Sequence, residues 1–251
     1  MNKIFRYELR RLLWNRLFFG ILLVSLGYGW LTLTGSVVRG VAHTAPFSPW
    51  SFGYYLSQAL PLICLGELFF LAFFFSKEER LLRPLTQATP VRQRRYTALR
   101  CGAVLTATVI LCLCIVALAI SFYVSLFEWM NYGKLVLPAL LTLIPPIFFC
   151  LGAGLILSRF NHVLIYGFMA VVILMTVLPL PNIITFSLSG FFSQFPLSIG
   201  TLDPAFCIPS WLAASRMIFV ILGVTLTICA TSMQSRRLNF PNIANVSTRK
   251  G

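Results

Sequence analysis

Apolar and polar positions along the chain alternate on a long scale: extended apolar runs are separated by short polar stretches. A helix crossing a hydrocarbon core about 30 Å thick needs about 20 apolar residues. Six windows of that kind occur, each with at most one charge, at 17–36, 53–75, 101–127, 135–157, 163–181 and 211–233. A spanning helix closes its backbone hydrogen bonds within itself, so the pattern predicts an all-α membrane protein of six transmembrane helices, folded as a single transmembrane domain over 1–251.

Before the first run the period changes. Over 2–16, Ile4, Phe5, Leu9, Leu12 and Leu13 share one broad helical face while Lys3, Arg6 and Arg10 share another. That is the pattern of an amphipathic helix lying in a membrane interface. Glu8 falls in the apolar sector, and Arg11, at i,i+3 spacing, is its nearest local partner. The helix suits either a membrane anchor or a docking element for a partner protein.

The connections differ in character. Residues 37–52 hold Gly40, Pro46, Pro49 and Trp50, an irregular link ending in an aromatic belt residue. Residues 76–100 are strongly charged yet carry Leu81, Leu82, Leu85 and Val91, punctuated by Pro84 and Pro90. Such a stretch fits a surface helix in the headgroup region, or a socket for a partner. Within the fourth run Pro138, Pro145 and Pro146 bend the helix and free backbone carbonyls. Ser158 to His162 makes a tight turn, so runs four and five form an antiparallel hairpin. Residues 182–210 hold five Phe and a single acid, Asp203, which is too apolar for a hydrated loop. One or two short helices dipping into the outer leaflet are expected there, and the tail 234–251 is polar and basic.

Composition agrees: 58% of residues are hydrophobic and only 10% charged, which does not fit a water-facing surface. The formal charge of +14 raises nucleic acid as a partner, but the placement of the basic residues points elsewhere. With the N-terminus inside, one side of the membrane carries Lys3, Arg6, Arg10, Arg11, Arg16, Lys77, Arg80, Arg83, Arg92, Arg94, Arg95, Arg100, Arg159, Arg236, Arg237, Arg249 and Lys250. Only Arg39, Lys134 and Arg216 of the 20 fall on the other side. This asymmetry predicts both termini in the cytoplasm of a cell (plasma or inner) membrane protein. No folded module is left over to present a basic face to nucleic acid. A basic start followed by an apolar run also fits a secretory signal. The long run, the lack of an A-x-A-like site and the later loop charges favour a retained span.

Candidate chemistry is sparse. Of seven cysteines, six lie in or at the edge of the runs, with no CxxC pair, so they are expected to pack as small apolar residues. His43 and His162 fall on opposite faces. There is no G-x-x-x-x-G-K-[ST], H-E-x-x-H or G-x-S-x-G, so the chain is expected not to be an enzyme, with no cofactor or metal of its own. Two full charges lie inside the runs. Arg216 is expected to snorkel to the outer headgroups. Glu67 fits a structural hydrogen bond to a neighbouring span or a contact in a substrate pathway. Their depths differ too much for a direct pair.

The layout, with a basic amphipathic N-terminal helix, six runs, a charged loop after the second and an apolar outer segment before the sixth, resembles the type-2 ABC exporter permeases. The closest local likeness is E-E-R-L-L-R-P-L-T-Q-A-T-P-V-R-Q-R-R-Y at Glu78 to Tyr96. The resemblance implies a complex of two permeases, identical or homologous, with two ABC ATPase subunits that hold ATP and Mg. It implies an ATPase-coupling element in 76–100, carried here by Glu78, Glu79, Arg80, Leu81, Leu82, Arg83, Arg92, Arg94 and Arg95. The interfacial helix with Lys3, Arg6, Arg10 and Arg11 would lie beside it, and the outer segment would be re-entrant. Arg83 and Pro84 interrupt the helix the family places in that loop. The implied function is ATP-driven movement of a hydrophobic or amphipathic peptide, lipid or drug. A membrane anchor or assembly subunit without its own pathway is the alternative.

Overall fold

A computed structural model describes residues 2–74, 93–161, 163–178, 181 and 185–236. These are mostly helical, with no strand among the described residues. In chain order the helices are α1 (Asn2–Leu13), α2 (Arg16–Thr32), α3 (Pro49–Phe74), α4 (Gln93–Phe127), α5 (Gly133–Phe160), α6 (Val163–Val177), α7 (Ser189–Ile199) and α8 (Ser210–Arg236).

Among the described residues five helical stretches are long and apolar enough to cross a membrane: Arg16–Val37, Pro49–Phe74, Arg95–Phe127, Gly133–Phe160 and Ser210–Ser232. The chain therefore has the character of a multi-pass membrane protein. The fifth apolar run behaves differently. Helix α6 has 15 residues, about 22 Å at 1.5 Å per residue, against a core of about 30 Å. The sequence places Pro179 and Pro181 in that run, and a proline disfavours helix in the residue before it. Hydropathy alone carried the run past that boundary.

Local chemistry sets the helix ends. Asn15 caps α2 by accepting the Leu17 backbone N–H at 3.1 Å. At its far end α2 widens into a π turn over Leu33–Val37, where the Val38 N–H reaches the Leu33 carbonyl at 3.0 Å. Hydroxyls on apolar faces turn back to their own helix: Thr32 to Tyr28 O, Thr108 to Val104 O and Thr227 to Gly223 O. Each of these three hydroxyl protons is thereby paired in a medium without water.

Helix α3 is the hub. It packs on α2, α4, α5, α6 and α7, and 67% of its most apolar window is buried, against 28% for α2 and 22% for α8. Among helices of similar hydropathy such differences separate one enclosed by protein from those whose apolar sides face outward.

Helices α5 and α8 approach most closely, at two glycines. A Cβ on Gly152 would collide with the Gly223 carbonyl oxygen, and one on Gly223 with the Phe148 backbone. Small residues permit such backbone contact, which is how helices associate where lipid removes the hydrophobic drive. Gly154 does the same against α3, where a Cβ would lie 2.7 Å from Leu71 and 2.9 Å from Leu68. Replacing Gly152 or Gly223 by Leu is expected to destabilise the protein by about 1–3 kcal/mol or more. Gly27→Leu, where nothing lies within 4 Å of a Cβ, should leave the detergent melting temperature unchanged. Equal melting temperatures for all three variants would refute the glycine contact.

Candidate functional site

Three groups of polar or aromatic side chains stand out, and each touches α3. The first joins α1 to both flanks of the charged segment 75–92. Leu12 is buried and Phe5, Leu9 and Leu13 pack on the core, so the apolar face of α1 is turned inward and carries Glu8 with it. Glu8 is 2% exposed. Its Oε1 accepts the Tyr96 hydroxyl at 2.5 Å and the Arg100 Nε–H at 3.3 Å, both from the start of α4. Arg100 also donates to the carbonyl of Phe74, the last residue of α3, at 3.1 Å. Its guanidinium lies over the Phe74 ring at 5.3 Å and the Tyr96 ring at 4.5 Å.

Glu8 thus pairs across 92 residues with Arg100, not with Arg11 as helical spacing suggests. Arg11 lies over the Phe73 ring at 5.2 Å. The docking of α1 explains the difference, because it turns Glu8 toward α4. Lys3, Arg6 and Arg10 are exposed on the other face of α1, together with Tyr7 and Trp14. Of the expected coupling residues, Glu78, Glu79, Arg80, Leu81, Leu82, Arg83 and Arg92 lie outside the described residues. Arg94 is in the first turn of α4, and Arg95 is exposed beside it.

The second group is centred on Glu67, seven residues before the end of α3. It is 0% exposed, and neither carboxyl oxygen has a hydrogen-bond partner among the described residues. Among the described residues no neighbouring span donates to it. Instead three thiols gather nearby, Cys64 on α3, Cys112 on α4 and Cys150 on α5. Among the described residues no group of three His, Cys, Asp or Glu is arranged to hold a metal ion.

The third group covers the opposite end of α3. Pro61 lacks an N–H, so the carbonyl of Ser57 loses its helical partner. The hydroxyl of Ser187 donates to that carbonyl at 3.1 Å. Trp50, at the start of α3, donates its indole N–H to Pro204 O at 2.8 Å. Around its ring sit Phe191, Phe192, Phe195 and Phe206, at centroid distances of 5.8, 6.3, 5.8 and 4.9 Å. Phe192 lies so close to Gly53 that no side chain fits there.

Arg216 closes this cap from α8. It is 3% exposed, donates to Thr185 O at 3.0 Å and lies over the Phe219 ring at 5.4 Å. The snorkelling expected of it does not occur, because the segment from Thr185 folds over it and supplies a carbonyl. Trp50 likewise is fully buried and not a belt residue. The signal for both was present in the sequence: five Phe in 182–210 must be covered by something, and Trp50 opens the adjacent helix.

Two outcomes follow from these contacts. Arg100→Leu strands a buried carboxylate and is expected to lower stability by about 3–5 kcal/mol, with much of the loss restored by adding Glu8→Leu. A double-mutant cycle on thermal unfolding in detergent measures this, and additive losses would exclude the pairing. Trp50→Phe keeps the ring but removes one donor worth about 1 kcal/mol, so amide exchange across 189–206 should quicken about fivefold. An unchanged exchange pattern would mean that this hydrogen bond does not hold the cap.

No family model, curated protein or solved structure matches the chain.

Proposed function

We propose that the chain is the membrane-spanning permease subunit of an ATP-driven exporter of the type-2 ABC kind. It acts with a second permease copy or homologue and two separate ATPase subunits, which hold ATP and Mg. In this reading six helices span the cell membrane and both termini are cytoplasmic. Helix α6 belongs to the fifth of these spans and α8 is the sixth, and the exposed basic face of α1 rests on lipid headgroups. The cargo is a hydrophobic or amphipathic molecule.

The observation that carries the reading is the Glu8, Tyr96, Arg100 and Phe74 contact set. A partner that pushes on 75–92 does useful work on the spans only if both flanks of that segment are held to something stiff. Phe74 ends the most enclosed helix, Tyr96 and Arg100 begin the next, and α1 clasps the two together. ATPase closure then acts on Glu78 to Arg95 and is delivered to α3 and α4 jointly. A plain lipid anchor needs only the amphipathic face of α1, not a buried ion pair across two other helices.

The test is co-purification of the tagged chain, extracted from its native membrane, with a nucleotide-binding subunit. Reversing Arg92, Arg94 and Arg95 to Glu is expected to reduce the captured ATPase by about tenfold or more, as removal of a charged docking face does. Capture of the ATPase undiminished by the reversal would refute the coupling assignment. A complex whose ATP hydrolysis drives no efflux would favour the anchor or assembly role.

A further inference from the structure

We infer that Glu67 is the recognition point for a lipophilic organic cation, which gives the cargo of the proposed exporter a chemical class; the inference rests on that reading for its transport role, though not for the binding itself. Glu67 lies about 10 Å along α3 from its Phe74 end at 1.5 Å per residue. It sits on the helix most enclosed by protein, with both oxygens unpartnered among the described residues.

An unpaired carboxylate in such surroundings costs several kcal/mol, and packing alone is better served by Leu or Met. The part-buried Arg100 and the buried Arg216 are engaged elsewhere, with Glu8 and with Thr185 O. Among the described residues no cation faces Glu67, so a cation carried in by a bound molecule would meet a carboxyl with no competing partner there.

The surroundings restrict what it can be. A small hydrated metal ion sheds its water only for several oxygen ligands. Glu67 supplies one carboxylate, and no metal-holding group of three occurs among the described residues. Ile63, Leu68 and Leu71 on the same helix are fully buried, as are Leu111 on α4 and Cys150 on α5. One anionic point in apolar walls suits a cation whose charge is spread out and wrapped in hydrocarbon, such as a quaternary ammonium or phosphonium. In this closed arrangement the site is sealed, so loading requires the helices around α3 to part.

Tetraphenylphosphonium is the probe, and the full chain in phosphatidylcholine nanodiscs is the sample. Saturable binding is expected for the wild type, weakened by about tenfold or more in Glu67→Gln and less in Glu67→Asp, as loss of the one charge partner requires. A second readout leaves the residue in place: the cation should slow modification of Glu67 by dicyclohexylcarbodiimide, read by mass spectrometry. Absence of saturable wild-type binding, or equal binding by a folded Glu67→Gln, would overturn the assignment. So would carbodiimide modification that the cation leaves unaltered, which would mark Glu67 as a neutral buried carboxyl. The binding assay needs no ATPase. Binding without a co-purifying ATPase would uphold the site and sink the exporter reading, whereas an ATPase complex that binds no cation would do the reverse.

Discussion

In a medium without water, a backbone carbonyl that a helix cannot satisfy has to find a donor elsewhere, at a penalty of several kcal/mol if it fails. The long-range contacts of this protein are organised around that requirement. Phe74 O belongs to the last turn of α3 and receives Arg100. Ser57 O is released by Pro61 and receives Ser187. Thr185 O and Pro204 O lie outside helices and receive Arg216 and Trp50. Each donor comes from a different part of the chain, so satisfying the carbonyl and fixing the tertiary arrangement are the same event. Within the helices, hydroxyls such as those of Thr108 and Thr227 do the equivalent locally and add no tertiary information, whereas that of Tyr55 on α3 reaches Ile115 O on α4.

The same distinction explains what was legible beforehand. Five spans, the amphipathic face of α1 and the apolar excess of 182–210 follow from periodicity and length, which are local properties. The partner of Glu8 was misread because helical spacing offers Arg11, while docking of α1 on α4 offers Arg100. Arg216 was misread because snorkelling is the response of a charge left at the lipid boundary, and here the chain folds over it. In run five the apolar stretch is longer than its helix, which stops at Val177, two residues before Pro179. For Glu67 the charge and depth were visible, but not that the described residues of the neighbouring spans offer it no donor. The residues of the charged segment from Glu78 to Arg92 lie outside the described residues, so their assignment still rests on the sequence.

The three polar groups share α3, and this arrangement bears on how a force could be used. The helix has 26 residues, about 39 Å at 1.5 Å per residue, and is long enough to run from one membrane face to the other. Phe73 and Phe74 at one end receive Arg11 and Arg100, Glu67 lies between, and Trp50, Gly53 and Ser57 at the other end hold the aromatic cap. Displacing the Phe74 end therefore cannot leave the cap untouched unless the helix bends, and Pro61 is where a missing backbone hydrogen bond makes bending easiest. Glu67 is on the Phe74 side of that proline and would move with the clasp. Ser57 and Trp50 are on the far side and would stay with the cap. Under the proposed exporter function, a load applied beside α1 would open the surroundings of the carboxylate before releasing the aromatic cover, the order that function needs if cargo enters from the side that carries α1.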